Sequence, residues 1–183
     1  MTAQTHSTTA PLVLVAATEA HIEDIAALWH RGWQDGHAGC VPAELLEHRD
    51  LASFERRVPP RLPITVAAIS DSRLAGFLMT HDDEIEQLYV DASVRGTGIA
   101  DSLLRHGETV ISRRFTTAWL AVVPGNARAR RFYERNGWID AGAFDYPAEA
   151  GRGSTISVPA RRYEKHLAAL SNDHSMGGKG AGR

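Results

Sequence analysis

The stretch VRGTGIADSLL, Val94 to Leu104, carries Gly96 and Gly98 two places apart and then runs into leucines at helical spacing. It follows EIEQLYVD (84–91), whose apolar and β-branched content predicts a strand. A strand, a glycine turn and a helix make an anion site. The first four N–H groups of a helix lack internal partners, and the helix dipole favours negative charge there. Glycines at 96 and 98 let the backbone approach phosphate oxygens with no Cβ in the way. Arg95 adds a cation beside them. The ligand these residues call for is a phosphate or pyrophosphate. Two common phosphate loops are excluded. A Walker loop needs Gly-Lys-Ser/Thr, which occurs nowhere in the chain. A dinucleotide fingerprint counted from Gly96 requires Gly or Ala where Asp101 stands, and it belongs after a first strand.

Around the loop, the order of elements can be followed along the chain. LVLVAA (12–17) is a short strand, and Thr18 caps the helix after it, with His21 where a capping box wants Glu or Gln. Ile22, Ile25, Ala26, Trp29 and Trp33 make an apolar stripe along that helix. GHAGCVP ends it, and Pro42 suits the first turn of the next. Another short helix precedes PPRLP. Strands follow at 64–70, 74–81 and 84–91, then the glycine loop and a helix to about Arg114. TTAWLAVV (116–123) is a buried strand, and PGNARARRFYERNG is a helix with Pro124 near its start and Gly137 at its stop. Two strands, around WIDAGAF and GSTISVPARRYEKH, close the pattern. This order describes one sheet in a mixed α/β or α+β domain.

The chain has 183 residues, enough for one domain with its own core. A formal net charge of −2 gives no general attraction to nucleic acid or to an anionic membrane. A single cysteine, Cys40, excludes an internal disulfide framework and cysteine-rich zinc patterns, and no histidine cluster points to another metal. No apolar run approaches the roughly 18 residues of a spanning helix. The first Lys or Arg is Arg31, which makes the N-terminus a poor signal peptide, so a cytoplasmic protein is expected. Residues 1–10 and the Gly-rich 169–183 are expected to be disordered tails flanking a domain over 11–168.

RGTGIA resembles the R-x-x-G-x-G/A pyrophosphate loop of the GNAT superfamily, the acyl-CoA-dependent N-acetyltransferases, with Ala100 where Gly is commoner. LYVDASVRGTGIADSLL is similar to the whole strand–loop–helix segment of that family. NARARRFYERNGW (126–138) resembles its second motif, at about the right separation, and the order of elements fits over roughly 12–166. The resemblance implies a central mixed, mostly antiparallel sheet of about six or seven strands flanked by helices. It implies acetyl-CoA as co-substrate, held by Arg95, Gly96, Thr97, Gly98, Ile99, Ala100 and Asp101 at its pyrophosphate. The backbone of Leu88, Tyr89 and Val90 would hold the pantetheine arm like an added strand and supply an oxyanion donor. It also allows a homodimer through the late strands, although nothing in the sequence fixes that interface.

Acetyl transfer to an amine needs a base, because an alkyl ammonium has a pKa near 10, and an acid for the leaving thiolate. Alternation along 84–91 puts Glu84 and Glu86 on one face, away from Ile85, Gln87 and Tyr89. Counted back from Arg95, Glu84 matches the place where some family members carry a glutamate base. Glu86 follows closely, and a water relay or a plain solvated face are the alternatives. Tyr133 matches the tyrosine that points at the CoA sulfur in the family; a phenol stays protonated at pH 7 and can donate to a thiolate. The plainer role for it is packing. Asn126 would bond CoA, pin the strands or cap its helix. On the acceptor side, WHRGWQDGHAGCVPAELL offers Trp29, Trp33 and His37, although tryptophans on one helical face are more often core than pocket, and His37 suits the surface better than the role of a base. Cys40 is a poor candidate for a nucleophile, since direct transfer needs no acyl-enzyme. The acidic run Asp82, Asp83, Glu84, Glu86 fits either a solvated turn or attraction of a cationic amine. The expected activity is acetylation of a small primary amine: an amino acid, amino sugar, polyamine or antibiotic. A protein or peptide amine is the second enzyme class, and a non-catalytic acyl-CoA-binding module the alternative outside enzymes.

Overall fold

The computed structural model describes residues 11–37, 39–151 and 153–168; the tails expected at 1–10 and 169–183 lie outside this range. β1 (Val13–Ala16) leads through a single 3-10 turn into α1 (Ile22–His37). The Thr18 N–H donates to His21 Nδ1 at 3.0 Å, so the histidine does what Glu does in a capping box. The predicted stripe holds: Ile25, Ala26, Trp29 and Trp33 are buried. α2 (Ala43–Leu46) begins just after Pro42. α3 (Leu51–Arg57) is capped by Asp50, whose carboxylate accepts from the Ser53 N–H at 2.8 Å. A 3-10 segment, Pro59–Ile64, then delivers the chain to the sheet.

The strands are β2 (Thr65–Ser70), β3 (Arg73–His81), β4 (Glu84–Val90), β5 (Thr117–Val122), β6 (Ile139–Gly151) and β7 (Ser154–His166). α4 (Ile99–Ser112) lies between β4 and β5, and α5 (Ala127–Arg135) between β5 and β6. Together with β1 they form one seven-stranded sheet in the order β1-β2-β3-β4-β5-β7-β6. All neighbours are antiparallel except β4 and β5. The sheet is therefore mixed and mostly antiparallel, as the resemblance implies. Each face is covered. Leu103, Leu104 and Ile111 of α4 and Tyr133 of α5 pack on one side with Leu78 and Ile85. Trp29, Trp33 and Phe54 of α1 and α3 pack on the other with Phe77 and Met79.

Two irregularities position the site. The parallel pair β4–β5 consists of a single register match, Glu84 with Trp119, beside a Trp119 N–H···O=C Asp83 bond of 3.0 Å. Beyond it the strands part, while β5 pairs with β7 along its whole length and β4 stays on β3. The second is a bulge. Met79 pairs with Gln87 but Thr80 with Ile85, leaving Glu86 as an extra residue in β4. A bulge bends its strand and increases its twist, which turns β4 away from β5. It also corrects the expected alternation: Ile85 packs in the α4-side core, whereas Tyr89 packs on the α1 side, so the two do not share a face.

β6 is twice as long as the sequence pattern suggests. Pro147 reads as a strand breaker, but β6 is the outer strand of the sheet, where a missing N–H breaks no ladder bond. The resulting β6–β7 hairpin reaches back over α3 through Glu149.

Candidate active site

The parting of β4 and β5 opens a cleft of about 550 Å³ that runs from the N-terminus of α4 to α1, α3 and β6. At its first end, Gly96 (φ 81°) and Gly98 (φ 88°) both adopt left-handed backbone that other residues rarely tolerate. No heavy atom lies within 4 Å of where a Cβ on either would sit, so conformation imposes glycine and the space above the turn stays open. Gly98 caps α4 without a side chain, and the helical ladder starts with the Ser102 N–H bonded to the Gly98 carbonyl at 3.0 Å. The N–H groups of Ile99, Ala100 and Asp101 therefore have no acceptor within the helix. This is the cradle a pyrophosphate requires. Thr97 braces the turn through its hydroxyl, which donates to the Val94 carbonyl at 2.7 Å. The Asp101 carboxylate is engaged elsewhere, accepting from Asn136 Nδ2 at 3.1 Å.

Arg95 and Arg128 reach over this end from opposite walls, and both donate to Asp35 Oδ2 at 2.7 Å. The Arg128 hydrogen bond, followed by that from Arg95, holds the Asp35 carboxyl below the usual range. Asp35 belongs to α1, so the helix bridges the cleft.

In the middle, the backbone of Leu88, Tyr89 and Val90 borders the gap left by β5. The Tyr89 ring stacks on Phe77 and occupies the space beside Gly32, where any side chain would collide with it. Tyr133 comes to the same stretch from α5. It is 8% exposed, lines the cleft, and packs its ring against Phe132, Trp138 and Tyr163. Burial pushes its hydroxyl above the ordinary phenol value, so it is protonated at neutral pH. Packing and access to the cleft are thus combined in one residue. Asn126 Oδ1 accepts from the Ala129 N–H at 3.1 Å, which makes it the cap of α5 on the cleft wall. Cys40 Sγ fills the space a side chain at Gly125 would need, locking the loop after α1 onto the start of α5.

The far end contains the two carboxylates in different surroundings. Tyr146 of β6 donates its hydroxyl to Glu84 Oε1 at 3.0 Å. Burial lifts the Glu84 carboxyl to about 7; the Tyr146 bond opposes that rise, and the nearby charge of Glu86 adds to it. Glu86 instead accepts from Arg61 Nε at 2.8 Å in an ion pair. Of the acidic run, Asp83 accepts from Trp119 Nε1 at 3.1 Å, and Asp82 is an exposed turn residue. Trp29 and Trp33 are buried in the α1-side core and also line the cleft. His37 stacks on Trp33 with centroids 5.0 Å apart, and its Nδ1 lies 3.0 Å from the Trp33 carbonyl. Burial lowers His37 to about 4, so at neutral pH the ring is uncharged, Nδ1 donates, and Nε2 is an acceptor.

Arg49, Arg57, Arg61, Tyr146 and Glu149 line the far end of the cleft and escape sequence reasoning, as does Arg128 at the α4 end. The arginines look like ordinary surface charge, and only the packing of the hairpin over α3 turns them inward.

The sequence pattern of the acetyltransferase (GNAT) family matches residues 21–138, and the chain belongs to that family. It is 28% identical over 116 residues to the peptidyl-lysine N-acetyltransferase YjaB of Salmonella typhimurium, covering 63% of this chain and 75% of that protein. Its fold is similar to that of a GCN5-related N-acetyltransferase from Rhodopseudomonas palustris, with a TM-score of 0.67 and 18% identity over 88% of this chain and 99% of that one. It is also similar to the PaiA N-acetyltransferase from Thermoplasma acidophilum, solved in complex with coenzyme A, with a TM-score of 0.61 and 18% identity over 86% and 99%. The protein is accordingly an acyltransferase. Among the described residues no helix is long and apolar enough to cross a membrane.

Proposed function

We propose that the protein moves an acetyl group from acetyl-CoA directly to the primary amine of a small molecule. The observation that carries this is the enclosure of the cleft's far end. Behind the sheet gap, Arg57, Glu86 and Arg61 side chains are only 8%, 15% and 22% exposed, roofed by the β6–β7 hairpin. Such a chamber suits a compact acceptor better than a polypeptide surface.

In this reading the glycine turn and the N–H groups opening α4 bind the pyrophosphate, and the free edge of β4 aligns the pantetheine arm. A backbone N–H of β4 stabilises the developing oxyanion. Glu84 takes a proton from the acceptor ammonium, and Tyr133 gives one to the departing thiolate. Asn126 stiffens the wall as the α5 cap, and Trp29, Trp33 and neutral His37 shape the acceptor chamber. Glu86, already paired with Arg61, is the weaker base.

The test is acetyl-CoA-dependent release of free thiol over a panel of small primary amines and a lysyl peptide. Turnover of small amines well above the peptide supports the reading. The 28% identity to a peptidyl-lysine enzyme favours the opposite outcome, in which the peptide is the better acceptor.

The base assignment makes its own prediction. Glu84 loses its proton as pH rises through about 7, so kcat/KM gains an inflection there, on top of the slope contributed by the amine's own titration. In Glu84→Gln that inflection disappears, and kcat/KM at pH 8 falls about 10²-fold. An unchanged profile in the variant assigns the proton to a water relay instead.

A further inference from the structure

Three arginines and three carboxylates line the far end of the cleft, and they are unevenly paired. Arg57 and Arg61 share Glu149, at 3.7 and 3.0 Å, and Arg61 also pairs with Glu86 at 2.8 Å. Arg49 is buried too, at 6% exposure, yet among the described residues no carboxylate oxygen lies within 4 Å of its guanidinium. Its Nη1 donates to two backbone carbonyls, of His48 at 3.0 Å and Glu149 at 2.8 Å. The guanidinium lies over the Trp33 ring, 5.5 Å from its centroid, and faces the same cleft. Burial, together with the neighbouring Arg57 charge, lowers Arg49 to about 10, which still leaves it cationic at neutral pH. The Glu149 charge acts on Arg49 only from beyond direct contact, and the unused face of a buried guanidinium is a fork matched to a carboxylate.

We infer that Arg49, backed by Arg57, reads an anionic group on the acceptor, so that the substrate is an amine carrying a carboxylate. This rests on the small-amine reading above and narrows it. The acceptor's ammonium goes to Glu84 and its carboxylate to Arg49. Amines without a carboxylate lose the second anchor, and polyamines place an additional cation against the arginines. The competing role for Arg49 is structural: with Arg57, whose Nη2 donates at 2.9 Å, it holds the Glu149 carbonyl at an irregularity of the β6–β7 ladder.

The experiment measures kcat/KM for free amino acids, each beside its carboxamide and its decarboxylated amine, with a lysyl peptide alongside. The acid is expected to exceed its own amide by at least about tenfold. Arg49→Met should cut the acid's kcat/KM about 100-fold and the amide's by little, leaving KM for acetyl-CoA unchanged. Arg49→Lys should recover part of the acid preference, since it keeps the charge and loses the fork. Equal use of acid and amide by the parent enzyme overturns this inference alone. A uniform loss on acid and amide in both variants assigns Arg49 to the hairpin and also overturns it. If only the peptide is acetylated, or nothing is while acetyl-CoA still binds, the inference falls together with the small-amine reading.

Discussion

Tyr133→Phe is expected to lower kcat by about 10²- to 10³-fold while leaving the dissociation constant of acetyl-CoA nearly unchanged. The substitution removes one oxygen and preserves the ring that packs against Phe132, Trp138 and Tyr163, so the fold and the donor cradle should survive it. Without the phenol, the thiolate must leave unprotonated or take its proton from water. Single-turnover kinetics at saturating acetyl-CoA separate the chemical step from binding, and equilibrium titration supplies the affinity. A kcat equal to that of the parent would remove Tyr133 from the acid role and leave it as packing. A parallel loss of affinity and rate would mean that the hydroxyl positions the donor.

Gly98→Val acts at the other end and on the opposite parameter. Gly98 holds φ 88° and ψ 0°, a conformation most strongly resisted by a β-branched residue, and its Cα lies at the opening of the α4 anion site. Acetyl-CoA affinity should fall by at least about 100-fold, measured as KM and by direct titration. Valine strains the turn and also fills the space a phosphate needs, so a second variant separates the two effects. Asparagine tolerates left-handed backbone, and Gly98→Asn should keep the melting temperature while still weakening the donor. Unchanged affinity in both variants would reduce the loop to a tight turn.

The loop proposed to hold the donor was legible because backbone chemistry writes itself into sequence. Glycines with positive φ, a helix start and a nearby arginine are local signals, and the structure finds Gly96 and Gly98 in the backbone conformation that demands them. The apolar stripe of α1 and the helices at 99–112 and 127–135 were legible for the same reason, since helical periodicity is local. The far end of the cleft was not. Arg49 and Arg57 acquire their meaning from Glu149, a hundred and 92 residues away, and Tyr146 meets Glu84 across 62. The bulge falls where the alternation breaks, at the adjacent polar pair Glu86 and Gln87, and strict alternation carried through that break put Ile85 and Tyr89 on one face, which the structure corrects. The strand around WIDAGAF runs on through Pro147, which a sheet edge tolerates and which only the topology reveals.

The single register match between β4 and β5 has a thermodynamic corollary. The sheet is two blocks, β1 to β4 and β5 to β7, stitched at Glu84 and Trp119 and otherwise joined by side-chain packing. In the proposed reading, a donor laid along the gap completes the ladder from outside the chain and adds to the cohesion of the two blocks. Binding to the folded state alone adds roughly 2.7 kcal/mol at a hundred times the dissociation constant. On that reading the durability of the fold follows the surrounding acyl-CoA supply, and the seam between β4 and β5 is where its depletion is expected to be felt.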